Sequence, residues 1–328
     1  MDTQDRTFIY LDHNATTPVE PRVARAMLPY ILEHFGNPSS SHRYGQRTRQ
    51  AVEHARAQAA GLLGIEPGGI VFTSGGTEAN NHAILGAVLA REDRGDHVVT
   101  TAVEHPAVLE VCRHLESRGV RLTVVGVDRT GRVDPQEVLA ACEPRTILVS
   151  VMLANNEVGT LQPVAEIAAG ARAHGIWTHA DCAQAAGKIP VNMTELGVDM
   201  VSLAGHKFGA PKGVGLLALG PGIRPANLMH GAGHEQGRRP GTENVAQIVG
   251  LGLACELAAM ALADAKGPPL RRWRDRLQTR LQEAFPAARI HGHLDLRLPN
   301  TLSIGFPGLL AADLMALMPE VAVSAGAA

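Results

Sequence analysis

Aromatic residues make up only 3% of this 328-residue sequence, so a stacking surface for single-stranded nucleic acid is not expected. Charge of one sign is not in excess either. The formal net charge is -2, which leaves no basic field for nucleic acid or for an anionic membrane surface. The four cysteines, Cys112, Cys142, Cys182 and Cys255, form no CxxC pair, and their spacing suits neither a metal site nor a disulfide framework. A reducing, cytoplasmic setting is the expectation. The chain does not open on a basic segment followed by an apolar run, so no secretory signal is read there. The most apolar helical stretch, 248–263, is interrupted by Glu256 and reads as too short to span a bilayer. Lysine is also scarce: of 30 basic residues only Lys188, Lys207, Lys212 and Lys266 are lysines. A lysine kept in a chain that otherwise uses arginine draws attention, because lysine can lose its proton and arginine cannot.

What is present is a soluble globular composition, 45% hydrophobic and 19% charged, which excludes disorder. The length allows a large core and a smaller lobe. Helical and strand-like segments alternate from about residue 50 to 220. Strands are expected near 69–73, 97–101, 121–125, 146–152, 176–180, 200–204 and 214–219. Helices are expected at 47–63, 77–90, 107–118, 135–141 and 164–174. Short, continuously apolar strands alternating with helices predict a mostly parallel sheet covered on both faces. After Gly220 come a polar, glycine-rich loop at 231–241, a helix at 244–263, a linker at 266–269, a helix at 270–285 and a strand-like piece at 301–306.

Five segments could carry chemistry. Thr73-Ser-Gly-Gly-Thr-Glu-Ala-Asn-Asn81 lies between a strand and a helix start, where backbone N–H groups attract an anion and Gly75 and Gly76 let it approach. It also reads as a plain capped helix with a glycine turn. Lys207 follows an apolar strand end inside Ser202-Leu-Ala-Gly-His-Lys-Phe-Gly. Partial burial would lower its pKa, as Schiff-base chemistry needs; a solvated loop lysine is the plainer alternative. Asp181 ends a strand in Trp177-Thr-His-Ala-Asp-Cys-Ala-Gln184 and could hold a ring nitrogen protonated, or simply cap a helix. His105 follows another strand end and could cover a flat ring, or be a turn residue before Pro106. Asn155, Asn156 and Glu157 follow a buried strand, where amides bind either a ligand or loop backbone. An anion cradle, a lysine, a carboxylate, a histidine and an asparagine at successive strand ends form the parts list for pyridoxal phosphate.

Taken together, Tyr10-Leu-Asp-His-Asn-Ala-Thr-Thr-Pro18, Gly36-Asn-Pro-Ser-Ser40, the 73–81 segment, Glu104-His-Pro, Asn155-Asn-Glu-Val-Gly, His179-Ala-Asp-Cys-Ala-Gln, Gly205-His-Lys and Arg239-Pro-Gly-Thr-Glu-Asn244 resemble the cysteine desulfurases. These are class V aminotransferase-like enzymes of pyridoxal-phosphate fold type I. The last of these motifs and the final Ser324-Ala-Gly-Ala-Ala328 lean toward selenocysteine lyase-like members. The resemblance implies an α/β fold with a mostly parallel seven-stranded sheet in a large domain, 16–262. An N-terminal segment, 1–15, would pack near the active site, and 263–328 would be part of a small α+β domain.

It also implies roles. Lys207 would carry the Schiff base and later move the substrate Cα proton, and His105 would stack on the ring and assist. Asp181 would pair with the pyridine nitrogen and Gln184 with the ring hydroxyl. Gly76, Thr77 and His206 would hold the phosphate, and Asn156 would contact cofactor and substrate. Thr242 would reach the phosphate of a second subunit, implying a homodimer. A phosphate-binding serine common in the family is Ala204 here, and Ser202, two positions earlier on the same strand face, is the candidate replacement. The implied reaction removes sulfur from L-cysteine, or selenium from L-selenocysteine, leaving alanine and a persulfide for an acceptor such as an iron–sulfur scaffold. In the family the nucleophilic cysteine directly follows a segment like 324–328, and none of the four cysteines here matches it. A truncated chain, a selenocysteine codon at 329 read as a stop, and a short cofactor-binding partner subunit are the three expectations for that ending. Another class V lyase or transaminase is the remaining alternative.

Overall fold

The computed structural model describes residues 8–264 and 269–326. The order of elements is β1 (Ile9–Tyr10), α1 (Pro21–Leu32), α2 (Arg43–Leu63), β2 (Ile70–Thr73), α3 (Gly76–Ala90), β3 (His97–Thr101), α4 (Pro106–Glu116), β4 (Arg121–Val125) and α5 (Pro135–Ala140). There follow β5 (Thr146–Ser150), α6 (Val164–Ala173), β6 (Trp177–Asp181), α7 (Met193–Leu196), β7 (Met200–Ala204) and β8 (Gly215–Leu219). The chain continues with α8 (Val245–Ala263), α9 (Leu270–Ala284), β9 (Arg289–His291), β10 (Ser303–Gly305), α10 (Ala311–Leu317) and β11 (Val321–Ala322). Most of the linker expected at 266–269 lies outside the described residues, as do Ala327 and Ala328.

The central sheet has seven strands in the order β2-β8-β7-β6-β5-β3-β4. Neighbours from β7 to β4 run parallel, whereas β8 is antiparallel to both β7 and β2. The carboxyl ends of β2, β3, β5, β6 and β7 therefore share one edge. Each interior strand is buried on both faces, which is why it reads as a continuous apolar run rather than an alternating one. Alternation instead sorts residues between the two faces. Ile70 and Phe72 join Val52, Leu63 and Leu251 in one core, and Val71 joins Ala83, Ile84 and Val108 of α3 and α4 in the other.

α8 begins three residues before the apolar stretch seen in the sequence and is 19 residues long. The expectation that it is too short to span a bilayer is corrected, because its length and composition alone would allow that. In the fold it lies against α1 and α2, with Ile248, Leu251, Ala254, Cys255 and Ala258 buried. Gly252 makes the close approach possible: a side chain there would meet Cα and Cβ of Ala55 on α2 at 2.5 Å. After α8, β9 and β10 form an antiparallel pair, and β11 pairs in parallel with β1, tying residues 9–10 to 321–322.

Candidate functional site

The expected site residues come from loops leaving one edge of the sheet. Lys207 closes a short turn after β7 and is only 7% exposed. Its Nζ donates to the carbonyls of Asn14 at 2.7 Å and Ala15 at 2.9 Å. Burial lowers its pKa, while the Asp181 and Asp12 carboxylates act in the opposite direction. Asp181 ends β6 and is also buried. Its Oδ1 accepts from the Ala183 N–H at 2.9 Å and its Oδ2 from the Asn80 amide at 2.7 Å. Asn80 lies within the 73–81 motif, but sequence alone offers no reason to link it to a residue 101 positions away. The Asn80 Oδ1 has no hydrogen-bond partner among the described residues.

His105 caps α4, and its Nδ1 accepts from the Ala107 N–H at 3.0 Å. In the neutral ring the proton therefore sits on Nε2. Burial lowers its pKa; Asp181 opposes this and Lys207 reinforces it. These electrostatic couplings bring His105, Asp181 and Lys207 into one cluster. Asn156 is buried after β5, and its carbonyl accepts from Asn14 Nδ2 at 3.2 Å. Asn155 is committed to backbone: its Oδ1 accepts from the N–H groups of Glu157 and Val158, and its amide donates to the Val103 carbonyl. Gln184 donates from Nε2 to the Asn14 carbonyl at 2.8 Å and accepts from Lys188 at 2.6 Å. Neither the carbonyls of residues 14 and 15 nor Lys188 is singled out by the motif pattern, although the lysine count pointed at the latter.

The anion cradle lies where α3 begins. No side chain caps that N-terminus, so its first-turn N–H groups are available to an anion. Nothing stands within 4 Å of where a side chain on Gly75 would project, and Gly215 of β8 packs close behind, where a Cβ would meet Gly75 backbone at 2.7 Å. Glu78, which would repel an anion, is paired with Arg239 at 2.8 Å. Thr77 is exposed at this turn. His206 is held neutral, its pKa pushed down to about 4 chiefly by burial, with Lys207 and Lys212 adding; its Nδ1 lies 3.2 Å from the Thr16 hydroxyl. An open, uncapped helix start near the buried Lys207 and Asp181 and the half-buried His105 fits a phosphorylated aromatic aldehyde in charge. Thr242 is exposed on the 238–244 loop, and its side chain makes no hydrogen bond among the described residues.

Ser202 does not join the cradle. It is 0% exposed, and its hydroxyl lies 2.9 Å from His179 Nε2, whose Nδ1 lies 2.8 Å from the Ser150 hydroxyl. Without cofactor, the hydroxyl of Ser202, the candidate replacement for the missing serine, is engaged by His179. Strand alternation matches its face to that of Ala204, but it lies one step deeper and His179 engages it. The residue that meets Gly76 is Ala204, 3.1 Å from where a Cβ would stand. Cys112, Cys182 and Cys255 are buried and Cys142 is half-buried. Burial pushes the thiols of Cys112 and Cys255 up to about 12 and raises those of Cys142 and Cys182, which favours the protonated, less nucleophilic form.

Glu104 spaces the strand ends from which His105 and Asn155 project. Its carboxylate accepts from the Thr101 hydroxyl at 2.7 Å and from the Met152 N–H at 2.9 Å and 3.0 Å. Burial outweighs these donors and raises its pKa from 4.5 to about 8. Below 4.5 folded and unfolded chains both hold this proton. Between 4.5 and 8 only the folded chain does, so this group's contribution to stability falls as pH rises through that interval. Glu104→Gln should remove a fall on the order of a few kcal/mol, at about 1.4 kcal/mol per pKa unit. Urea unfolding of both proteins at pH 5 and pH 8 measures it; parallel pH profiles would show that Glu104 ionises normally.

The fold is that of the type I pyridoxal-phosphate enzymes, a mostly parallel α/β sheet with a lysine at its carboxyl edge. The profile of the family described as Aminotransferase class-V matches residues 9–328, and the chain belongs to that family. It is 43% identical over 310 residues to a "Cysteine desulfurase IscS" of Methanosarcina thermophila, covering 94% of this chain and 76% of that protein. A solved "NifS-like protein" superposes with a TM-score of 0.91 at 38% identity, over 95% of this chain and 85% of that one. The structure described as "SspA in complex with cysteine" superposes with a TM-score of 0.86 at 32% identity, over 98% and 90% of the two chains.

Proposed function

We propose that this chain is a pyridoxal 5'-phosphate-dependent cysteine desulfurase, taking L-cysteine to L-alanine and handing its sulfur to an acceptor thiol. The observation that carries this reading is the buried Lys207 in one electrostatic cluster with Asp181 and His105, at the same sheet edge as the open start of α3. Relatives named cysteine desulfurase and a neighbour described in complex with cysteine support the substrate. Bound pyridoxal phosphate supplies an electron sink for the charge that develops at the substrate Cα.

The chain's own residues do the rest. The α3 N–H groups, Gly76, Thr77 and His206 would hold the phosphate, and Thr242 of a second copy would complete the grip in a homodimer. Asp181, held by Asn80 and Ala183, would pair with the pyridine nitrogen. Gln184 would donate to the ring hydroxyl, and Asn156 would border cofactor and substrate. His105 would stack on the ring and assist. Lys207, its amine made nucleophilic by burial, would anchor the cofactor and move the Cα proton. Residues 16–262 form the cofactor-binding body, with the described parts of 1–15 and 263–328 on the small-domain side. Sulfur acceptance falls to a thiol other than these four, with an iron–sulfur scaffold as the further recipient.

Purified protein supplied with pyridoxal phosphate and reduced with borohydride should carry the label on the peptide containing Lys207. Unreduced, cofactor-loaded protein given L-cysteine and a dithiol acceptor should yield alanine and sulfide in equal amounts. A keto acid product would assign a transaminase, and turnover of selenocysteine alone a lyase for selenium. A protein that binds no cofactor overturns the reading.

A further inference from the structure

Two of the chain's four lysines belong to one partly buried network. Lys188 lies on the turn after β6, four residues beyond Gln184, and has no part in the chemistry above. Its Nζ donates to Gln184 Oε1 at 2.6 Å, Gln184 Nε2 donates to the Asn14 carbonyl at 2.8 Å, and that same carbonyl accepts from Lys207 Nζ at 2.7 Å. An unbroken path therefore runs from one ammonium group through an amide and a carbonyl to the other.

The two ends of a glutamine amide have nearly the same shape, so packing alone cannot choose between its orientations. The neighbours do choose. In its protonated form the Lys188 amine only donates, and a backbone carbonyl only accepts. Gln184 has one orientation that satisfies both; turned over, it would set NH2 against NH3 and oxygen against oxygen. Asn14 alone would leave the amide oxygen without a donor in the interior, where an unmade hydrogen bond is costly. We propose that Lys188 is a positioning residue that locks the amide of Gln184, so that its NH2 group faces residue 14 and the cofactor side of the cluster. One amide proton goes to the Asn14 carbonyl and the second remains for the ring hydroxyl oxygen. This rests on the role given to Gln184 above.

A second consequence is electrostatic. Lys188 has its pKa lowered to about 7, mostly by burial and then by the charge on Lys207. The interaction is mutual, so a charge on Lys188 also disfavours one on Lys207. Arginine in place of Lys188 would keep the donor and the charge but could not share them by losing a proton.

Lys188→Met removes donor and charge while keeping an apolar stem, and Lys188→Arg restores both. In the cofactor-loaded protein, Lys188→Met should shift the pH midpoint of the cofactor's visible band upward by about half a unit or more. It should also lower kcat for L-cysteine about tenfold with little change in KM, as expected when an interaction with the reacting system and not with substrate alone is lost. Lys188→Arg should recover most of both. In a double-mutant cycle, adding Gln184→Met to Lys188→Met should cost little more than Gln184→Met alone. A Lys188→Met protein with the wild-type midpoint and kcat overturns the inference, as do additive effects in the cycle. Should Lys188→Met not fold, Lys188→Arg with a wild-type midpoint supports the inference, and Lys188→Arg that is folded but shifted by as much as Gln184→Met overturns it. If the wild-type protein takes no cofactor, it is the site reading that fails.

Discussion

Lys207→Ala should lower the rate of alanine release from L-cysteine by at least about four orders of magnitude. It removes the covalent anchor together with the group that moves the Cα proton, and a positioned proton-transfer group alone contributes roughly 10²–10⁴-fold. The borohydride label should vanish with it. Lys207→Arg should not rescue either, because a guanidinium never presents a neutral amine. The environment explains why this lysine and not its neighbour is chosen. Lys207 is enclosed, its amine held by two carbonyls and its pKa lowered by burial. Lys212 is exposed five residues further on, beyond the turn. Lys212→Ala should therefore keep label and turnover within about twofold of the parent, as surface changes usually do. Peptide mapping of the reduced protein decides between them, and a label at residue 212 or 188 would move the Schiff base there.

The strands were legible because burial on both faces leaves an unmistakable apolar run. Three of them, 97–101, 121–125 and 200–204, coincide with the expected bounds, and the others differ by a residue or two at their ends. α1 escaped because Pro29 stands in its interior, which reads as a break, and because it buries only Val23. β9 is three residues long and mostly exposed, too short to form a pattern, whereas β10 falls inside the strand-like piece expected at 301–306. The site was legible as a set of strand-end residues, since parallel topology collects such ends whatever lies between them. What holds those residues was not. Asn80 meets Asp181 across 101 positions and Gln184 meets Asn14 across 170, and no local spacing encodes such pairings. Ser202 shows the opposite failure. Its position along the strand was read correctly for face but not for depth, and depth is what gives it to His179.

Glu235→Ala should cost about 3–5 kcal/mol of unfolding free energy, as expected when one partner of a buried ion pair is removed and the other stays charged. Arg56 is 2% and Glu235 4% exposed. They meet through two hydrogen bonds of 2.8 Å and 2.9 Å, Arg56 also donates to the Ile70 carbonyl, and Glu235 accepts from the Phe72 N–H at 2.8 Å. The Arg56 guanidinium further lies 4.9 Å from the Phe72 ring centre. This clamp fastens the loop after β8 to the start of β2. It holds Glu235 and Gln236 at φ 49° and 59°, a left-handed conformation that non-glycine residues adopt only when their surroundings impose it. The same loop carries Arg239, which neutralises Glu78 beside the anion cradle, and Thr242. Loss of the clamp should therefore weaken cofactor retention beyond what lost stability explains. Urea unfolding gives the first quantity, and dialysis of cofactor from folded protein gives the second. Replacing both partners, Arg56→Met with Glu235→Met, should cost less than Glu235→Ala alone, because no charge is then left buried without a partner. It should nevertheless release the loop just as fully. A double variant that is stable yet retains cofactor like the parent would mean that the clamp supports the fold and has no hold on the site.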